Sequence, residues 1–189
     1  MNVKYYALFA DCYCKEATCL HPEQTIDSRG CFDGDGKSVS HLAGTRFAFP
    51  VDDSTNFLPI QVSLKIDCNI VSQQFKEGVE PYIDYSTDVE FVPVTVSHYK
   101  YGERPYYIMH FLRFEDVIDY AKSKIMGNFD GTQTVMVPSL KRSLIKDKHL
   151  FCIDAIGNVI ISDTLRKVLK KNGISKGLSF SKSCVSEDE

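Results

Sequence analysis

Apolar and polar positions follow two different periods along this chain, and the sharpest change of period lies between Leu150 and Phe180. Leu150-Phe151-Cys152-Ile153 and Val159-Ile160-Ile161 are short apolar runs separated by Asp154 to Asn158, the pattern of two strands joined by a tight connection. Ser162 or Asp163 then offers a side-chain oxygen to the first free N–H groups of a helix. Leu165, Val168 and Leu169 fall at i, i+3 and i+4 and make one apolar stripe. With Gly173 as the left-handed residue after the helix, Ile174 and Leu169 stand where a Schellman ending makes its hydrophobic contact. Leu178-Ser179-Phe180 can return as a strand, and Arg166, Lys167, Lys170 and Lys171 take the helix's remaining surface.

The same reading applied in chain order predicts a first strand over Val3 to Phe9 and an irregular segment, rich in Cys, Gly, Asp and Ser, from residue 10 to 44. Leu58 to Leu64 alternates as a strand with Pro59 at its start. Asn69-Ile70-Val71-Ser72-Gln73-Gln74-Phe75-Lys76 then aligns without gaps on Val159-Ile160-Ile161-Ser162-Asp163-Thr164-Leu165-Arg166, each a strand, a Ser cap and a helix. Shared junction chemistry accounts for this, with a true internal duplication as the alternative. The first of these helices ends before Pro81. Asp88 to Ser97 and Tyr106 to Leu112 read as strands around a loop holding Gly102. Phe114 to Ile125 reads as a helix with Val117, Ile118, Ala121 and Ile125 on one face. Thr134 to Val137 is a strand stopped by Pro138, and Leu140 to Ile145 a short helix or turn.

Composition narrows the class. At 189 residues and 43% hydrophobic content, the expectation is one domain over 1–182 with a flexible acidic tail over 183–189. No run is long enough to span a membrane, and Tyr5 to Ala10 is shorter than a signal-peptide core, which implies a cytoplasmic protein with reduced thiols. Net charge is −3 but uneven: residues 139–182 hold ten Lys+Arg against three Asp+Glu. A solvated face around the last helix explains that excess, and no nucleic-acid-binding motif accompanies it.

Candidate chemistry is sparse. Cys12, Cys14, Cys19, His21 and Cys31 could close a tetrahedral zinc site in number, but their C-x-C and C-x-H spacing lacks paired knuckles, and we expect no metal and no cofactor. Asp33-Gly34-Asp35-Gly36 opens like a calcium loop and fails at Lys37 and Gly44. Gly173 to Gly177 matches G-x-S-x-G in a reversed context, after a helix and before a strand. The five histidines show no ligand spacing, so no catalytic residue is expected. The distinctive surface is Glu77 to Glu90, where Glu77, Glu80, Asp84 and Asp88 interleave with Tyr82 and Tyr85. Carboxylates with rigid tyrosines can steer and anchor a basic partner, although a solvated loop has the same composition.

Ile66-Asp67-Cys68-Asn69-Ile70-Val71-Ser72, Val89-Glu90-Phe91-Val92-Pro93-Val94, Tyr106-Tyr107-Ile108-Met109-His110, Asp119 with Ser123, and His149-Leu150-Phe151 running through Val159-Ile160-Ile161-Ser162 to Gly177-Leu178-Ser179-Phe180 together resemble the bacterial immunity proteins encoded beside polymorphic toxins, specifically immunity family eleven. The resemblance spans about Phe57 to Lys182 and leaves the cysteine-rich Asp11 to Gly44 largely aside. It implies an α+β domain, a mixed or antiparallel sheet with two or three helices packed on it. It also implies an antidote that occludes one cognate toxin effector domain without catalysis. The alternative is a small metal-assisted enzyme or regulator built on the cysteine loop.

Overall fold

A computed structural model describes residues 3–11, 19–26, 34–51, 54–63, 68–83, 89–129, 133–153 and 158–186. In chain order these form β1 (Tyr5–Ala10), β2 (His21–Pro22), β3 (Arg46–Ala48), β4 (Ile60–Ser63), β5 (Cys68–Ser72), α1 (Gln73–Val79), β6 (Val89–His98), β7 (Gly102–Phe111), β8 (Lys124–Gly127), β9 (Gln133–Val137), β10 (Ser139–Lys141), α2 (Arg142–Ile145), β11 (Leu150–Cys152), β12 (Val159–Ser162), α3 (Asp163–Lys171), β13 (Leu178–Lys182) and β14 (Cys184–Ser186). The fold is α+β and mostly β. A six-stranded sheet runs β2-β3-β6-β7-β5-β4, parallel only between β3 and β6, and an antiparallel four-stranded sheet runs β11-β12-β1-β13. Two ribbons complete it, parallel β10-β14 and antiparallel β8-β9.

Both large sheets are covered on both faces, which is why their strands read as near-continuous apolar runs. Along β12, Val159 and Ile161 enter the largest apolar cluster while Ile160 enters a separate one with Tyr5, Val117, Ile118, Leu140, Ile145 and Phe151. Along β5, Val71 faces the first cluster, and Cys68 and Ile70 face another with Leu20, Phe47, Val92, Val94 and Val96. The largest cluster draws on both sheets and on Phe75 and Val79 of α1 and Leu165 and Leu169 of α3. Glycine at position 78 allows the two helices to close: a side-chain carbon there would lie 3.1 Å from Ile174 Cδ1 and 3.3 Å from Leu169 Cδ2.

The β6-β7 hairpin is longer than the sequence suggests, leaving only Tyr99 to Tyr101 as its turn. Pro105 and Gly102 fit a strand there because β5 pairs with β7 only from Tyr106 onward, so that stretch of β7 is an edge. The helix expected over Phe114 to Ile125 does not form. Glu115 N–H instead donates to Cys152 O at 2.8 Å, Asp119 N–H to Ser139 O at 2.8 Å, and Lys141 N–H to Val117 O at 2.9 Å. Val117 and Ile118 are buried as the helical reading requires, but Ala121 is exposed and Lys124 to Gly127 form β8. Cross-chain pairing has overridden a helical period that is real only over two residues. The hydroxyl of Ser123 donates to Asp119 O at 2.6 Å and accepts from Ser139 N–H at 2.9 Å, closing the turn that replaces the helix. At the C-terminal end, Cys184–Ser186 continue as β14 beyond Lys182, and residues 187–189 lie outside the described residues.

Candidate functional site

The acidic, tyrosine-bearing surface begins on α1. Ser72, at the end of β5, accepts from Phe75 N–H at 3.2 Å and starts the helix; Pro81, with no N–H to donate, sits in the one-turn 3-10 helix Glu80–Tyr82 at its C-terminal end. Phase then decides exposure: Phe75 and Val79 point into the main cluster, and Glu77 points to solvent, where it accepts from Gln73 Nε2 at 2.6 Å. Glu80 is in a different state. Lys76, four residues earlier, pairs with it and lies over the rings of Tyr107 at 5.2 Å and Phe91 at 5.9 Å. Its charge is thus partly balanced by a cation that is itself held in place by two aromatic faces.

Tyr82 is half-buried. Its ring meets His149 edge-on at 5.3 Å, and His149 Nδ1 and Ser162 Oγ are hydrogen-bonded at 2.7 Å, so this tyrosine is tied through one histidine to the cap of α3. Asp84, Tyr85 and Asp88 lie outside the described residues. Glu90, at the far end of the segment, accepts from the Ser38 hydroxyl at 2.8 Å and from Val39 N–H, pinning residues 38–39 onto β6. Among its described members the candidate surface therefore contains one exposed carboxylate, one balanced by Lys76, one bonded to residues 38–39, and one supporting tyrosine. Lys76 and His149 are the partners that sequence reasoning passed over. The i,i+4 spacing of Lys76 and Glu80 was the available signal for the first, and none existed for the second.

The remaining candidates resolve into local structure. Cys19 is half-buried beside Val62 and His21 is exposed on β2, while Cys12, Cys14 and Cys31 lie outside the described residues. Among the described residues no group of three or more His, Cys, Asp or Glu could hold a metal ion. Asp35, of the calcium-like run, accepts from the backbone N–H and the ammonium of Lys37 and so closes its own turn; Asp33 lies outside the described residues. Gly173 makes the expected Schellman ending, with Ile174 N–H donating to Leu169 O at 2.9 Å and Gly173 N–H to Lys170 O at 3.2 Å. Ser175 lies just past that ending, so the G-x-S-x-G match is a helix stop. His98 is buried: its Nδ1 accepts from Lys100 N–H at 3.0 Å, which leaves Nε2 to donate to Thr55 O at 3.1 Å. His110 Nε2 meets Lys37 O at 3.0 Å. Tyr106 donates to Leu58 O at 2.8 Å, and burial pushes its phenol well above the ordinary range. Two hydroxyls lie beside imidazoles, Ser162 Oγ at 2.7 Å from His149 Nδ1 and Thr55 Oγ1 at 3.2 Å from His98 Nε2; both are buried, and Ser162 Oγ also accepts from Leu165 N–H as the cap of α3.

No helix among the described residues is long and apolar enough to cross a membrane. No curated protein matches the chain. A family model described as the Immunity protein family (Imm11) matches residues 13–184, reaching back through the cysteine-rich stretch that the recognised motifs had left aside. With most of its length covered, the chain belongs to the Imm11 immunity protein family.

Proposed function

We propose that this protein acts in the cytoplasm as an immunity protein, binding one cognate toxin domain and occluding it without catalysis. Membership of the immunity family over residues 13–184 is the observation that carries this reading. The commitment of His98, His110 and His149 to structural hydrogen bonds and ring contacts supports the absence of a reaction of its own. We place the toxin-binding surface on Glu77, Glu80, Tyr82, Asp84, Tyr85 and Asp88. Toxins that act on nucleic acids or nucleotides need basic active sites, and carboxylates raised on a short helix draw such sites in. Glu77 is the sharpest probe of this, because it is solvent-facing and forms no ion pair among the described residues.

The test uses the toxin domain encoded in the adjacent reading frame. Charge reversal at Glu77, Glu80, Asp84 and Asp88 to Lys is expected to slow association by on the order of tenfold and to flatten its salt dependence, while circular dichroism and melting stay those of the parent. Tyr82→Ala should speed dissociation and also lower stability, since its ring supports His149. Association with unchanged rate and salt slope in the fourfold variant would move the interface elsewhere. Failure of the adjacent toxin to bind the parent protein at all would remove the functional reading itself.

A further inference from the structure

The six-stranded sheet ends in a cavity beside the helix that carries Glu77. β5 pairs with β7 only as far as Ser72 opposite Tyr106, and there the chain turns into α1, so β5 leaves Arg104 and Pro105 of β7 uncovered on that side. The segment leading into β4 closes round the gap. Tyr106 donates to Leu58 O at 2.8 Å and Ser72 N–H to Pro59 O at 2.9 Å, which fixes residues 58–59 to β7 and β5. Between them lies an open cavity of about 250 Å³, its apolar lining including Phe57, Pro59 and Pro105 and its polar lining Gln73, Gln74 and Arg104. Arg104 is held there before any partner arrives. Its guanidinium lies 4.3 Å from the centre of the Phe57 ring, and Phe57 is itself packed edge-on against Phe49 at 5.3 Å. Stacking uses one face of the guanidinium and leaves its N–H groups, which radiate in the plane, open to acceptors. Among the described residues the Arg104 side chain makes no hydrogen bond and no ion pair.

The face around this cavity is therefore bipolar. Gln73 lines it and donates to Glu77 at 2.6 Å, which places an exposed carboxylate and an exposed guanidinium on either side of one glutamine. We propose that the cavity receives one carboxylate side chain of the partner protein, bound by the Arg104 fork; this rests on the reading of the protein as a toxin-binding immunity protein. Size and charge select that occupant. At about 250 Å³ the cavity is smaller than most small-molecule sites and fits a single side chain. One guanidinium balances one negative charge, and a carboxylate matches its paired donors while the methylene stem meets Phe57, Pro59 and Pro105. A dianionic phosphate would leave one charge unbalanced close to Glu77. The result is a fixed orientation. A partner that is basic opposite Glu77 and acidic opposite Arg104 docks in one register, because sliding by the width of Gln73 sets like charges face to face.

Two measurements test this. In the first, the Nε–H signal of Arg104 in the full chain is followed by NMR on addition of acetyl-glutamate amide, which carries only the side-chain carboxylate, and of acetyl-glutamine amide, its neutral counterpart. A saturable shift with the first and none with the second is expected; equal shifts, or none, would overturn the carboxylate assignment. In the second, binding of the adjacent toxin domain is compared for the parent, Arg104→Gln and Arg104→Lys. Dissociation should speed up by about tenfold or more in Arg104→Gln and by less in Arg104→Lys, which keeps the charge and loses the fork, with melting unchanged because the side chain is exposed. One Asp or Glu of the toxin, changed to Ala, should show the same loss and no further loss in combination with Arg104→Gln. Parent-like dissociation of Arg104→Gln from a toxin that binds the parent would overturn the cavity as a contact and leave the functional reading standing. A parent that binds no toxin yet takes up acetyl-glutamate amide would remove that reading and make the cavity a small-carboxylate site, overturning the protein occupant.

Discussion

The β5-α1 and β12-α3 junctions start from the same sequence pattern and end as opposites. In both, a strand buried on two faces runs into a serine whose hydroxyl accepts from the N–H three residues on, at 3.2 Å in each case. In both, the residue making that bond, Phe75 or Leu165, is fully buried in the main cluster. Beyond the first turn they diverge. α1 stops after seven residues, carries Glu77 and has Glu80 as its C-cap, with a proline just beyond; α3 runs nine residues to a Schellman ending and carries Arg166, Lys167, Lys170 and Lys171. Only α3 has a carboxylate in its first turn, Asp163, where the helix dipole and two nearby cations favour the charge. The difference teaches that the cap and the first buried residue suffice to start a helix on a strand. Length, charge and the partner each helix can meet are set by the residues after that first turn.

The largest expected effect comes from the buried contact that the two helices share. Phe75→Ala should lower stability by about 3–5 kcal/mol and Leu169→Ala by about 2–5 kcal/mol, read from urea unfolding. A loss under about 0.5 kcal/mol at either position would mean that its helix is not anchored as described. The caps sharpen the comparison next. Ser72→Ala should cost about 1 kcal/mol, and Ser162→Ala nearer 2 kcal/mol because the bond to His149 goes as well. Equal losses would show that His149 adds nothing to the second junction.

Gly78 tests how closely the helices are packed. Gly78→Ala alone should destabilise by about 1 kcal/mol through the crowding of Ile174 and Leu169. In the Leu169→Ala background one of the two contacts is gone and Ile174 has room to shift, so the cost should fall by about 0.5–1 kcal/mol. Stabilisation in both backgrounds would place the helices farther apart than the side-chain contacts indicate. The smallest effect is electrostatic and belongs to α3 alone. Hydrogen bonds from Lys167 and then Arg166 hold the Asp163 carboxyl at about 2, below its ordinary 3.8. Its contribution is therefore fully present above about pH 4 and is lost as pH falls toward 2. For this near-surface group it should amount to at most about 1 kcal/mol. Asp163→Asn should remove that part of the acid dependence; an unchanged slope between pH 4 and 2 would assign it to other carboxylates.

The sequence by itself determined whatever depends on neighbours a few residues apart. The Ser72 and Ser162 caps, the Gly173 stop and the strands flanking them were legible because each rests on bonds spanning three to five residues. The family motifs were legible because they are largely these same strands and caps. What failed was longer in range. Val117 and Ile118 carry a helical spacing, yet Val117 O accepts from Lys141 N–H, Ile118 bridges to Leu140, and their neighbours Glu115 and Asp119 donate to Cys152 and Ser139, all twenty or more residues away. Glu80 was readable as an acid and as i,i+4 to Lys76, but the rings of Phe91 and Tyr107 that hold Lys76 come from β6 and β7. Tyr82 reads as an exposed anchor until His149 is placed beside it. The cleft lined by Lys4, Arg142 and Lys182 is the extreme case. Residues 4, 142 and 182 share no window of sequence, and they meet because β1 and β13 pair antiparallel while β14 lies parallel on β10. Strand pairing is set by which buried faces fit together across the whole chain, and no local pattern encodes that choice.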